Sequence, residues 1–157
     1  MTIRIALIGF GEAGRTFAAA GNWQTDARVF DIKTLSDCTA NVMRASYADL
    51  GVTGCDTLAQ ALEGAQIILS LVTADQTPAA AQAAAQFISK GALFCDLNSV
   101  SPGAKQGNAK LIEAAGAHYV DVAVMSPVQP AALSAPLLVS GPHAQDAAEM
   151  LRSIGFT

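Results

Sequence analysis

Charge is scarce in this sequence. Asp, Glu, Lys and Arg together make up 14% of its 157 residues, against about a quarter in an ordinary soluble domain. The 9 basic residues are scattered and the net charge is −4. That pattern excludes the clustered cations that grip nucleic acid and the polybasic patch that holds an anionic membrane. Long apolar runs are missing too, so no membrane span is expected. Cysteine is limited to Cys38, Cys55 and Cys95. An odd number without disulfide or ligand spacing reads as small apolar residues in a reducing compartment. His118 and His143 have no acid or nucleophile at a telling distance along the chain, and no His, Cys or carboxylate cluster has ligand spacing, so no metal site is expected. Serine-hydrolase and phosphate-loop NTPase signatures are absent. Thr2-Ile3-Arg4 leads directly into a strand without the parts of a secretory signal, which fits a cytoplasmic protein.

What is abundant is apolar surface, at 52% of residues, enough to exclude a disordered chain. The length suits one domain, residues 1–157. Low charge also suggests surface buried against another domain or a second copy. Met150, Leu151 and Ile154 are the expected patch.

Strand and helix patterns alternate. Strands are predicted over 3–8, 29–32, 52–55, 66–72, 92–97, 119–124 and 137–140. Helices are predicted over 12–20, 40–50, 57–63, 78–90, 102–115 and 144–154. Asp56, Thr77 and Ser101 are the expected N-caps, the last two each followed by proline. The alternation implies right-handed βαβ units. It makes this an α/β chain with a mainly parallel sheet of about six to eight strands and helices on both faces.

One motif carries chemistry. Gly9-Phe10-Gly11-Glu12-Ala13-Gly14 follows the first strand and opens the first helix. A first glycine permits the tight turn, a second lets the backbone approach a pyrophosphate, and a third packs helix on sheet. The helix N-terminus adds free N–H groups and partial positive charge. Asp31 stands 22 positions after Gly9 (31 − 9), at the end of the second strand and before Ile32. That is the place of the acid that bonds a ribose. A carboxylate there repels a 2′-phosphate and favours NAD over NADP, although Lys33 could pair with that phosphate. Arg15 follows the loop on a helix position expected to face solvent.

The chain resembles the β-hydroxyacid dehydrogenase and 6-phosphogluconate dehydrogenase superfamily, whose N-terminal domain is a Rossmann-type, doubly wound fold. Gly9-Phe10-Gly11-Glu12-Ala13-Gly14-Arg15-Thr16-Phe17-Ala18 is similar to the family's G-x-G-x-M-G-x-x-M-A. Cys95-Asp96-Leu97-Asn98-Ser99-Val100-Ser101-Pro102 is similar to its D-x-[SN]-[ST] segment. Val120-Asp121-Val122-Ala123-Val124-Met125-Ser126-Pro127-Val128 is similar to its D-A-P-V-S-G-G-V, but Met125, Ser126 and Pro127 replace Ser-Gly-Gly. Proline removes an N–H that a carboxylate would use, so the substrate pocket diverges.

The resemblance implies that Asn98, Ser99 and Ser126 position a small-molecule substrate. It adds Val72, Thr73 and Ala74, with Asn98, to the cofactor contacts. It also implies a helical C-terminal domain, not present in these residues, that supplies a catalytic lysine and most contacts of a homo-oligomer. No catalytic residue is then expected within this chain. Lys105, in the first turn of the helix opened by Pro102, is expected to point to water. The implied activity is hydride transfer between NAD or NADP and a small hydroxy acid, a carbonyl compound or an imine, with the chain inactive alone. The alternative is a non-catalytic regulatory or redox-sensing NAD-binding module.

Overall fold

The computed structural model describes residues 2–157. Seven strands form one sheet: β1 (Ile5–Ile8), β2 (Ala27–Phe30), β3 (Thr53–Gly54), β4 (Ile67–Ser70), β5 (Leu93–Asp96), β6 (His118–Val124) and β7 (Leu137–Ser140). Their order is β3-β2-β1-β4-β5-β6-β7, with every pair parallel except β6 and β7. The β1, β4 and β5 strands are buried at every position. Helices cover both of their faces, which is why they read as continuous apolar runs. The alternately exposed β7 is the antiparallel edge.

The helices are α1 (Glu12–Gly21), α2 (Ala40–Leu50), α3 (Leu58–Leu62), α4 (Thr77–Ala84), α5 (Pro102–Ala114), the short α6 (Val128–Ala131) and α7 (Ala144–Ser153). They pack two apolar layers. Phe17, Trp23, Met43, Leu151 and Phe156 cover one face of the sheet, and Leu62, Ala81, Ala84 and Ile112 the other. Successive strands run outward from β1 to β3, then return to β4 on its other side. The direction in which strands are added thus reverses between β1 and β4, although the two strands are parallel. In open parallel sheets this is where ligands bind, beyond the carboxyl ends of the strands.

Several local expectations change. Thr57, not Asp56, caps α3, in a reciprocal capping box with Gln60. Thr77 lies inside α4, and Gln76 holds the cap position. The helix stops at Ala84 because the Gln86 and Phe87 N–H groups donate to carbonyls three residues back, tightening the last turn. Met150, Leu151 and Ile154 are not an open patch. Leu151 and Ile154 are core residues, Met150 packs against them, and the Trp23 indole N–H donates to the Ile154 carbonyl at 2.8 Å. Among the described residues the exposed large apolar side chains are elsewhere, at Ile32, Leu35 and Val42 near β2, at Phe87 and Leu111, and at Met125 and Leu138 near β7. Cys55 and Cys95 are buried as expected, whereas Cys38 is exposed. Burial alone pushes the Cys95 thiol up to about 12. Among the described residues no helix is long and apolar enough to cross a membrane.

Candidate functional site: the carboxyl edge of the sheet

Beyond β1 the chain turns sharply. Gly9 has φ +92°, and a Cβ there would lie 2.3 Å from the Leu71 carbonyl oxygen. Only glycine fits both the conformation and the space. Gly14 packs α1 close to the turn, where an added Cβ would meet the Gly9 carbonyl at 3.0 Å. Gly11 differs from both, since a Cβ built there meets nothing within 4 Å. The second glycine of the motif, the one expected to let a pyrophosphate approach, therefore borders open space. Gly11 occupies the N-cap position of α1 without a capping side chain, so the N–H groups of the first turn have no helical acceptor. The residues present thus fit a dinucleotide pyrophosphate, with an uncapped helix end facing a clear cradle. Phe10 is buried beneath the loop, Glu12 is exposed in the first turn and Ala13 packs on the core. The Arg15 Nε donates to the Gly11 carbonyl at 3.3 Å, so this exposed side chain folds back over the loop instead of extending away.

Asp31 is tied to that loop. One carboxylate oxygen accepts the Phe10 N–H at 2.7 Å and the other accepts the Lys33 N–H at 2.9 Å. The second bond makes Asp31 the cap of a short 3₁₀ turn, Ile32–Leu35. A carboxylate has about four acceptor positions, so capacity for ribose hydroxyls remains. The Asp31 N–H donates to the Tyr47 hydroxyl at 2.9 Å, and the Tyr47 and Phe10 rings meet at 5.2 Å. Burial, then the Asp31 charge, raise the Tyr47 phenol well above the ordinary tyrosine value. Beside Asp31, Ile32 presents an exposed apolar side chain.

After β4, Thr73 and Ala74 are exposed at the same edge. Val72 is held there by Asn98, whose Oδ1 accepts the Val72 N–H at 2.9 Å. The Asn98 Nδ2 donates to the Ser70 hydroxyl at 3.1 Å and to Asp96 at 2.8 Å. Both amide hydrogens are therefore engaged within the chain, and Asn98 fixes the carboxyl ends of β4 and β5 relative to each other.

Asp96 is the centre of a network that the motif reading missed. Fully buried at the end of β5, it accepts the Asn98 N–H, the Asn108 Nδ2 at 3.1 Å and the Tyr119 hydroxyl at 2.7 Å. The Lys105 ammonium lies 3.4 Å from Asp96 Oδ1 and 2.8 Å from Asp121 Oδ1, and donates to the Asp96 carbonyl at 2.7 Å. Lys105 therefore points inward rather than to water. Two carboxylates, paired across β5 and β6 in register, need a cation between them. Burial, followed by the hydrogen bond to Asp96, raises the Tyr119 phenol far above its ordinary value. The clue in sequence was the spacing of Lys105, Asn108 and Ile112 at i, i+3 and i+7, one helix face that the fold turns inward.

Ser99 and Ser126 lie at the same edge, after β5 and β6. Ser99 is exposed, and Ser126 is half-buried with its hydroxyl donating to the Pro127 carbonyl at 3.3 Å. At about 4.8 Å per strand, Ser99 is roughly 10 Å across the sheet from the glycine loop and Ser126 roughly 14 Å. The expected site residues thus line one edge, with Asp31 hydrogen-bonded to the loop and Asn98 to the Val72 turn.

Comparison with known proteins identifies the family and the fold. The family model described as the NAD binding domain of 6-phosphogluconate dehydrogenase matches residues 4–156. A conserved hypothetical protein of Sinorhizobium meliloti 1021 superposes with TM-score 0.93 at 36% identity, covering 100% of this chain and 53% of that one. The 3-hydroxyisobutyrate dehydrogenase of Mycobacterium tuberculosis, solved with L-serine, gives TM-score 0.81 at 21% identity, with 98% and 52% coverage. An imine reductase of Myxococcus stipitatus in complex with NADP+ gives 0.70 at 19% identity, covering 96% and 51%. A variant of that reductase was solved with NAD+. No curated protein sequence matches. The chain spans about half the length of these solved structures.

Proposed function

Because the chain belongs to the family of the NAD binding domain of 6-phosphogluconate dehydrogenase, we propose that it is the cofactor-holding half of an oxidoreductase acting on a small hydroxy acid, carbonyl compound or imine. The observation that carries this reading is the clear space over Gly11, at an uncapped helix end fastened to Asp31 through the Phe10 N–H. A nicotinamide dinucleotide bound there supplies the hydride chemistry. The first-turn N–H groups of α1 hold its pyrophosphate, with Arg15 close enough to add positive charge. Asp31 accepts from the adenosine ribose while Ile32 packs against the base. Thr73 and Ala74 line the path towards β5, where Ser99 and Ser126 offer hydroxyls to a substrate.

Asp31 also supports a preference for NAD, since its carboxylate repels a 2′-phosphate. The exposed Lys33 is the only opposing cation beside it in sequence. Calorimetric titration with NAD and NADP tests both parts. Binding of NAD that is lost in Gly11→Val supports the site. Equal binding by wild type and Gly11→Val removes it, and tighter binding of NADP overturns the preference.

Among the described residues no cationic proton donor stands free at the substrate edge, because Lys105 is committed to Asp96 and Asp121. The chain alone is therefore expected to bind cofactor without turnover, since losing general acid–base help costs about 10²–10⁴-fold. The missing group, the rest of the substrate pocket and the homo-oligomer contacts would come from a helical domain beyond these residues. The same observation favours one alternative, a non-catalytic redox-sensing module. Steady change in NADH absorbance with a panel of hydroxy acids would refute both inactivity and that alternative.

A further inference from the structure

At the far end of β6 from the dinucleotide edge, three side chains unused above converge. Glu113 leaves the last turn of α5, His118 opens β6, and His143 stands at the cap of α7. A carboxylate oxygen and one nitrogen from each imidazole lie within 4.8 Å of one another. The two rings stack with centroids 3.8 Å apart and planes inclined by 27°. Sequence spacing hides this cluster because its members come from a helix, a strand and a loop.

Three details distinguish it from an incidental grouping. First, His118 Nδ1 is buried with no hydrogen-bond partner, alone in this among the described side chains. Such orphaned atoms are rare in folded proteins and call for a missing partner. Second, His143 Nε2 lies 3.5 Å from Glu113 Oε1. That exceeds the usual range for an N–H···O bond, about 2.7–3.2 Å. It matches the roughly 3.4 Å between ligand atoms that share a tetrahedral ion at about 2.1 Å from each. Third, the Glu113 carboxylate is already oriented, accepting the Tyr119 N–H at 2.8 Å, as outer contacts orient metal ligands.

We propose that Glu113, His118 and His143 bind one transition-metal dication of the zinc class, with water completing the coordination. Two imidazoles and one carboxylate with an open position suit that class. Magnesium and calcium prefer oxygen alone. Access is available, since Glu113 is exposed and cavities of about 410 and 470 Å³ reach His143 and His118 respectively. Lys90 and Asp146 line the cavity beside His118 with opposite charges, so neither sign dominates there. The separations, all within 4.8 Å, must contract by at most about 1.4 Å to reach the roughly 3.4 Å of a tetrahedral pair. Histidine's broad second torsion permits ring rotation of that order. The bound ion would join the end of α5, the start of β6 and the entry to α7.

The test uses untagged, chelator-stripped protein titrated with Zn2+, Co2+ and Mg2+. The expected result is one Zn2+ per chain, a raised Tm, and tetrahedral visible bands with Co2+. Mg2+ should have no effect. His118→Ala and His143→Ala should each weaken Zn2+ binding by more than the roughly 10–100-fold that loss of an outer contact costs. Equal Zn2+ binding by the double histidine variant, or an equal response to Mg2+, overturns the proposal. Should the variants fail to fold, imidazole nitrogen NMR of the wild type decides. Both histidines must shift with Zn2+, and unmoved resonances refute the site.

Discussion

At one end of the carboxyl edge, between β2 and β1, the polar groups that matter are backbone N–H groups with nothing to bond. At the other end, between β5 and β6, they are side chains bonded to one another. The glycine loop is held from beneath by Gly9, Phe10 and Asp31 but left clear above Gly11. The Asp96 network is the reverse, with its carboxylate, amides, phenol and ammonium spent internally. A cofactor whose pyrophosphate never changes can be met by backbone alone. The β5–β6 half is locked in place, and apart from the Ser99 and Ser126 hydroxyls it leaves few polar groups free at the edge. The first end should therefore tolerate side-chain loss with a cost in binding, and the second only with a cost in stability.

The largest expected effect lies in the closed half. Asp96→Ala leaves Lys105 with one carboxylate and leaves Asn108 and Tyr119 without their acceptor. Breaking a buried pair from one side costs about 3–5 kcal/mol. Denaturant unfolding should show a loss of that size, and a loss under about 1 kcal/mol would mean that the network is not structural.

The glycines sharpen the contrast within the open half. Gly9→Ala forces an alanine into φ +92° against the Leu71 carbonyl. Strain of this kind costs about 1–3 kcal/mol, and the clash adds to it. A Cβ at Gly11 meets nothing within 4 Å, so Gly11→Val should cost clearly less stability than Gly9→Ala while NAD binding disappears. Equal destabilisation by the two changes would show that Gly11 is packed rather than open.

Much of the open half was legible in sequence because its requirements are local. A strand, three glycines at fixed spacing, and an acid at the end of the next strand each state a backbone need at their own position. Ser101-Pro102 likewise announces the start of α5, and the cap is where it was expected. The closed half was not legible, because Asp96, Lys105 and Tyr119 meet only once β5, α5 and β6 are packed. Lys105 was misread since a lysine in a first helical turn ordinarily faces water. Here an unpaired carboxylate on each of two adjacent strands outweighs that tendency. Leu151 and Ile154 were misplaced for a related reason. Their helix closes over the β6–β7 extension, whose antiparallel return the sequence pattern did not specify.

The smallest effect compares two tyrosines, one in each half. Tyr119 donates to the charged Asp96 carboxylate, whereas Tyr47 accepts from the neutral Asp31 N–H. Bonds to charged groups contribute about 1.5–3 kcal/mol and neutral ones about 0.5–1.5. Tyr119→Phe should therefore destabilise the fold more than Tyr47→Phe, which keeps its ring contact with Phe10. Both phenols have a folded-state pKa raised above the unfolded value near 10. Their stabilising contribution is thus complete below about pH 10 and is lost as pH climbs above it. Wild type should weaken steeply in that alkaline range, and Tyr119→Phe should weaken less steeply from its lower starting point. At neutral pH, Tyr47→Phe should loosen the backbone of Asp31 and reduce NAD affinity no more than about fivefold, the equivalent of 1 kcal/mol. Titration calorimetry alongside urea unfolding separates the two outcomes. If Tyr47→Phe instead abolishes NAD binding with stability intact, the Tyr47 hydroxyl is itself a cofactor contact, and the open half does not rest on backbone alone.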